Sequence, residues 1–271
     1  MAVLPFIPGI NISVLVDGEP ATEHIPVPED FPPLIDATGH QDIAHNQCFI
    51  RSLDNTSHAI RFRISSDFTF PRDKTTLIIS TYIDGEPFDN RVVQKKALVS
   101  TTRGNKEYVG FMTYCHRGYA DGSSESYEAF FRDIRNPAYQ ADDGSGISDA
   151  ESIKALGSIQ VSIKVARDCG PGMMGNDEFN DDKRNASLAI DSDALQEHGS
   201  GQIHGTTYTR TAETLDMDYL AVDREAHIGN FFFYYQAPPA EGAWFNLQKK
   251  FQDDNADKMV HLRSNPNRAP R

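Results

Sequence analysis

Between Gly157 and Arg167 apolar and polar positions alternate without a break. Ile159, Val161, Ile163 and Val165 share one parity, and Ser158, Gln160, Ser162, Lys164 and Ala166 share the other. Successive side chains of a strand point to opposite faces, so this run predicts a strand with one apolar and one wet face. Ile60, Phe62 and Ile64 alternate in the same way with Arg61 and Arg63, and Asn11 to Val16 puts Ile12, Val14 and Val16 together. Two further runs, Leu77 to Ile83 and Ile228 to Tyr235, are β-branched or aromatic at both parities. They predict strands covered on both sides, and Phe231 to Tyr235 reads as core before it reads as a stacking platform. Arg91 to Ser100 and Tyr108 to His116 are the sixth and seventh runs of an expected set of at least eight strands.

The punctuation between these runs fits hairpins. Val16-Asp17-Gly18-Glu19-Pro20 and Ile83-Asp84-Gly85-Glu86-Pro87 end two strands alike. Asp-Gly suits a type I′ turn, whose two central residues both need positive φ. The flanking sequence does not repeat, so the pair reads as two similar turns and not as a duplication. Helical periodicity is scarce: Ser124 to Arg132 is the first expected short helix, Asp191 to His198 the second and Trp244 to Phe251 the third. Isolated segments of this kind do not make a βαβ series.

Charge changes the picture in the loops. The 271 residues carry 26 Lys and Arg against 39 Asp and Glu, a net charge of −13. Residues 141–151 contribute −4 and residues 168–199 contribute −6, so most of the excess lies in two stretches expected to be surface loops. A nucleic acid partner calls for clustered cations, and only the sparse Arg263, Arg268 and Arg271 come near that, so neither nucleic acid nor an anionic membrane is an expected partner. Three cysteines, Cys48, Cys115 and Cys169, are too few and too scattered for a disulfide framework. The opening residues have no basic region before their apolar run, and no stretch reaches the roughly 20 apolar residues of a membrane span. The expectation is an intracellular chain, cytoplasmic or nuclear.

Candidate chemistry is thin. Gly170, Gly172 and Gly175 form a dinucleotide-type string, but an acidic run from Asp177 to Asp182 follows where a phosphate-binding helix would have to open. That acidic run places Phe179 at the third position of a calcium loop, where an oxygen ligand is required. His40 and His45 lack the partners of a zinc motif. Cys115 and His116, as strand neighbours, face opposite ways, which predicts a buried thiol beside an exposed imidazole. No catalytic residue, cofactor or metal is therefore assigned. Asp177, Glu178, Asp181 and Asp182 remain as an acidic loop able to meet a partner.

Several of these segments, in this order, carry a family resemblance. They are Pro8-Gly9-Ile10, Val16 to Pro20, Ile60 to Ile64, Ile83-Asp84-Gly85, Leu156-Gly157-Ser158-Ile159 with its strand ending at Arg167, and Phe231 to Tyr235. The chain resembles an uncharacterised fungal family, domain of unknown function (DUF) number seven-nine-one-eight, over roughly residues 3–247. The resemblance implies one domain with 168–205 as an internal loop. It transfers a fold and no catalytic residues, because no activity is established for the family. This sequence departs from it in its long acidic insertion and in lacking a basic C-terminal extension.

The expected fold is an all-β antiparallel sandwich, a jelly roll being one form of it, with a few short helices and long acidic loops. The expected domain covers 1–247, with acidic loops at about 141–151 and 168–205, and residues 248–271 form an extension. The leading expectation for function is a non-enzymatic protein-interaction or self-assembly module, its partner itself or another protein. An acidic chaperone-like binder of basic proteins is the second. A hydrolase or carbohydrate-binding β-sandwich without a recognisable motif is the third.

Overall fold

A computed structural model describes residues 2–4, 7–25, 34, 36–39, 43–102, 107–118, 124–134, 155–172, 204–212 and 220–236. In it the alternating runs pair into two layers, with one sheet curled into a half-barrel. Among the described residues the larger sheet has eight strands: β1 (Ala2–Val3), β2 (Ile10–Val16), β3 (Glu19–Pro20), β6 (Ser57–Ile64), β9 (Tyr108–Met112), β10 (Tyr114–Gly118), β11 (Ser124–Asp133) and β13 (His204–Thr211). The second sheet runs in the order β4 (Glu23–His24), β5 (His45–Arg51), β14 (Leu220–Gln236), β12 (Ser158–Pro171), β7 (Thr76–Ile83) and β8 (Glu86–Gln94). Pairing is antiparallel except between β14 and β5, which run parallel. Residues Met1–Ala237 form one compact unit; residues 238–271, including the expected extension, lie outside the described residues.

The core lies between the sheets. Ile12, Val14, Ile60, Phe62 and Ile64 from the first meet Leu77, Ile79, Ile159, Val161, Phe231 and Phe233 from the second. Burial alternates residue by residue along β6, as its sequence predicts, whereas β7 is buried at both parities. Both Asp-Gly pairs form two-residue hairpin turns, with φ of 52° and 79° at Asp17 and Gly18 and of 53° and 82° at Asp84 and Gly85.

Four expectations need correction. Ser124 to Arg132 is not a helix but lies within β11, because both edges of that strand are taken up by β10, β6 and β13. Its Tyr127, Ala129 and Phe131 enter the core at period two, and Tyr127 and Phe131 fit either period. The strand expected over Arg91 to Ser100 ends at Gln94, and a helix, α1 (Lys95–Thr102), takes over. Lys95, Lys96, Ala97 and Leu98 are good helix formers, and Leu98 reaches the core. Tyr108 to His116 is interrupted at Thr113: β9 pairs with β6, and β10 pairs with β11. The loop expected over 168–205 is strand at both ends, since β12 runs on to Pro171 against Leu220 and β13 begins at His204, and residues 173–203 lie outside the described residues. The expected helices over 191–198 and 244–251, and the acidic stretch 141–151, lie outside the described residues. Among the described residues no helix is long and apolar enough to cross a membrane.

Candidate functional site

Two polar clusters and one exposed strip are the candidates. The first cluster crosses between the sheets and starts from the turn after β7. Asp84 turns its carboxylate inward. Oδ1 accepts from Tyr235 Oη at 2.6 Å and from Gly157 N at 2.8 Å, and Oδ2 accepts from Thr206 N at 2.9 Å. Tyr235 Oη lies 2.9 Å from Thr206 Oγ1, which lies 3.1 Å from His58 Nε2. The His58 ring stacks on Phe131 at 4.2 Å. Burial pushes the Asp84 carboxyl up to about 6 although its hydrogen bonds pull the other way, and burial alone pulls His58 down to about 3. This cluster joins β6 and β13 of one sheet to β7 and β14 of the other.

The second cluster lies on the outer face of the smaller sheet and overturns the expectation of a wet face on β12. Gln160 and Ser162 are only 3% and 0% exposed. A short segment around Asp36 holds Gln160, and Ser162 pairs with His227 of β14. Asp36 Oδ1 accepts from Gln160 Nε2 at 2.7 Å and from Thr38 N at 2.8 Å, Oδ2 accepts from Asn230 Nδ2 at 2.8 Å, and Ala37 N donates to Gln160 Oε1 at 2.8 Å. Polar side chains on a strand are thus buried by pairing with a carboxylate or an imidazole and not by facing water. Asp36→Ala removes the acceptor that holds Gln160 and Asn230, so it should lower stability by about 1 kcal/mol in urea unfolding.

This outer cluster contains a serine, a histidine, an asparagine and an aspartate in series, which invites a nucleophile reading. A register shift in the β12–β14 pairing skips Ile228 and brings His227 opposite Lys164, on the face of Ser162 and Asn230. His227 Nε2 lies 2.9 Å from Ser162 Oγ and 2.8 Å from Asn230 Oδ1. Asn230 donates its amide N–H to Asp36, and a carboxylate only accepts, so its oxygen is the atom facing His227. An oxygen there requires the hydrogen to sit on Nε2. A ring nitrogen that already bears its proton cannot take one from Ser162, so the series orients side chains without activating the serine.

The exposed strip is on β9. Val109 and Phe111 are 45% and 49% exposed, and their register partners across β6 are Arg63 and Arg61. Directly opposed residues share a face, so two apolar side chains and two guanidinium groups lie together on the outside of the larger sheet. Arg63 is paired with Glu107, and Arg61 donates to Ser13 Oγ at 3.1 Å. Lys95 and Lys96 lie on α1, which packs against β9.

The other sequence candidates fall as follows. Cys48 and Cys115 are buried, and burial pushes the Cys48 thiol up; Cys169 is exposed. His116 is buried, contrary to the expected exposed imidazole, because β10 leans on the edge strand β8 and brings its Nδ1 to 3.5 Å from Asp89 Oδ2. His45 is on the exposed start of β5. Asp177, Glu178, Asp181, Asp182, Gly175 and His40 lie outside the described residues. Gly170 is inside β12 and not in a phosphate loop. Among the described residues no group of three or more His, Cys, Asp or Glu could hold a metal ion.

Sequence reading missed Asp36, Asp84 as anything beyond a turn residue, and the Val109–Phe111 strip. For Asp36 the available signal was Asp-Ala-Thr, an Asx-turn pattern that the structure realises. For Val109 and Phe111 it was the odd parity of two apolar residues whose strand buries Met112 instead.

No curated protein and no solved structure matches the chain significantly. The model of one family, described as Domain of unknown function (DUF7918), matches residues 9–237. That span begins just before β2, ends just after β14 and takes in both clusters and the strip, so the chain belongs to the DUF7918 family.

Proposed function

We propose that the chain is a non-enzymatic protein-interaction module that docks an acidic segment of a partner protein on the β9 face. The observation that carries this reading is the placement of Val109 and Phe111 beside Arg61 and Arg63. Aromatic and arginine side chains dominate the energetics of protein interfaces. The charge of the face runs against that of the whole chain. Arg61 and Arg63 of β6 stand on this face against Glu107, and the exposed Lys95 and Lys96 lie on α1, which packs against β9, in a protein of net charge −13. Like charges oppose a self-pairing of this face, and opposite charge speeds encounter with an acidic segment.

The test is fluorescence anisotropy with a labelled peptide in which Glu alternates with Phe and Val, and with its Lys-for-Glu counterpart. The acidic peptide should bind more weakly as salt rises. Phe111→Glu should weaken it at least ~10-fold, the equivalent of about 1.4 kcal/mol. Equal binding to the wild type and the variant, or a preference for the basic peptide, overturns the proposal. Sedimentation equilibrium adds a second reading: a dimer that Phe111→Glu converts to monomer would make the face homotypic and overturn the acidic-partner assignment.

A further inference from the structure

The inter-sheet cluster is a chain of four polar groups with a fixed direction, and the direction can be read from chemistry. Asp84 binds only donors: the Gly157, Ser158 and Thr206 N–H groups and the Tyr235 hydroxyl. With the carboxylate ionised, the Tyr235 proton points at Asp84. Tyr235 Oη then has only lone pairs left, so the Thr206 hydroxyl donates to it across 2.9 Å. Thr206 Oγ1 in turn accepts across 3.1 Å, which places the hydrogen of His58 on Nε2. His58 Nδ1 is buried and has no hydrogen-bond partner, consistent with a nitrogen that carries no proton.

We propose that this chain works as a proton-operated switch between the two sheets: protonation of Asp84 reverses the direction of all three side-chain hydrogen bonds and moves the His58 hydrogen from Nε2 to Nδ1. The balance is one proton taken up from solvent. Asp84 gains an O–H and donates it to Tyr235, and Tyr235 and Thr206 keep one proton each while donating to the opposite neighbour. His58 keeps one proton, now on the buried and partnerless Nδ1, and accepts at Nε2, so the protonation of Asp84 has to offset one unpaired N–H. Among the described residues the titratable groups around the chain include Tyr208, His204, Glu86 and Arg132. Tyr208 and His204 lie on β13, and His204 Nδ1 is 2.9 Å from Ser52 Oγ. Glu86, on β8, is exposed. Arg132 of β11 turns outward to Asn55 and Thr207. Among the described residues no lysine or arginine contributes to holding Asp84, whose titration near pH 6 is governed by burial and by donors. His58, pulled down to about 3, stays neutral through that range, so what changes on it is the tautomer and not the charge.

The readout is the pair of ring-nitrogen shifts of His58 in the intact protein, followed by long-range proton–nitrogen correlation from about pH 7.5 to about pH 5. The expected result is an Nε2–H ring at the upper end and an Nδ1–H ring at the lower, with a midpoint that matches the Asp84 carboxyl carbon shift. Tyr235→Phe cuts the chain while leaving Asp84 and His58 in place, and should uncouple the His58 tautomer from the Asp84 titration. One tautomer across the whole range in the wild type overturns the proposal, as does an unchanged tautomer transition in Tyr235→Phe.

Discussion

Replacing Asp84 by alanine should lower the stability of the protein by about 3 kcal/mol at neutral pH. The estimate comes from what the substitution leaves behind. The Gly157 and Thr206 N–H groups and the Tyr235 hydroxyl lose their acceptor, and each buried donor left without a partner costs at least about 1 kcal/mol. The same residue also gives the protein a pH dependence. Its carboxyl is raised from 3.8 to about 6 by burial. A raised acid binds its proton more tightly in the folded state, so a further, proton-linked contribution of Asp84 is fully present below about pH 3.8 and is lost as pH rises through about 6, leaving the hydrogen bonds of the ionised carboxylate at neutral pH. A shift of this size corresponds to about 3 kcal/mol, and the turn is half-exposed, so about 2 kcal/mol is expected. Asp84→Asn keeps one oxygen toward Tyr235 and Gly157 but faces the Thr206 N–H with a second donor. It should be destabilised and should lose the slope. Urea unfolding of the wild type and the asparagine variant at about pH 5 and about pH 7.5 checks both statements. If the wild-type advantage is no larger at the lower pH, Asp84 does not titrate as its surroundings require.

The two Asp-Gly turns show how far the sequence could be read. Both pentapeptides adopt the backbone that Asp-Gly predicts, because the requirement for positive φ is local. Asp17 stays exposed, whereas Asp84 is the centre of the inter-sheet cluster. The difference arises from β13 and the start of β12, more than 70 residues away, and no pattern within the pentapeptide encodes it. β12 makes the same point from the other side. Its apolar parity was legible and enters the core. Its polar parity reads as wet because Gln160 and Ser162 are polar, yet the Gln160 partner Asp36 stands 124 residues away in the sequence and the Ser162 partner His227 stands 65 away. Periodicity reports which residues share a face; it does not report what covers that face. The core and the two-sided strands were therefore accessible, and the polar clusters were not. The switch from strand to helix at Lys95 escaped for a related reason, since Val92 and Val93 continue an apolar run that the helix then turns away from the sheet.

Gly110 on β9 links the stability of the fold to its outer strip. It stands opposite Phe62 in the β6–β9 pairing, and a Cβ placed there would lie 2.2 Å from the tip of the Phe62 ring. That ring is 2% exposed and stacks on Tyr108 at 6.2 Å, so it cannot swing aside without disturbing the core. Gly110→Ala should therefore cost about 2–3 kcal/mol, the upper part of the range for overpacking. Phe62→Leu removes the atoms in the way at a cost of about 1 kcal/mol in lost packing. The two effects must not add. In the double variant the methyl group occupies the space the ring has left, so Gly110→Ala with Phe62→Leu should be more stable than Gly110→Ala alone, a favourable coupling above ~1 kcal/mol. Chemical denaturation of the four proteins measures it. Because Val109 and Phe111 flank Gly110, displacement of β9 in the single variant should also weaken the acidic peptide, and Phe62→Leu should restore its binding. Additive stabilities would show that β9 moves outward freely, and a strand that moves freely could not hold Val109 and Phe111 as a fixed docking face.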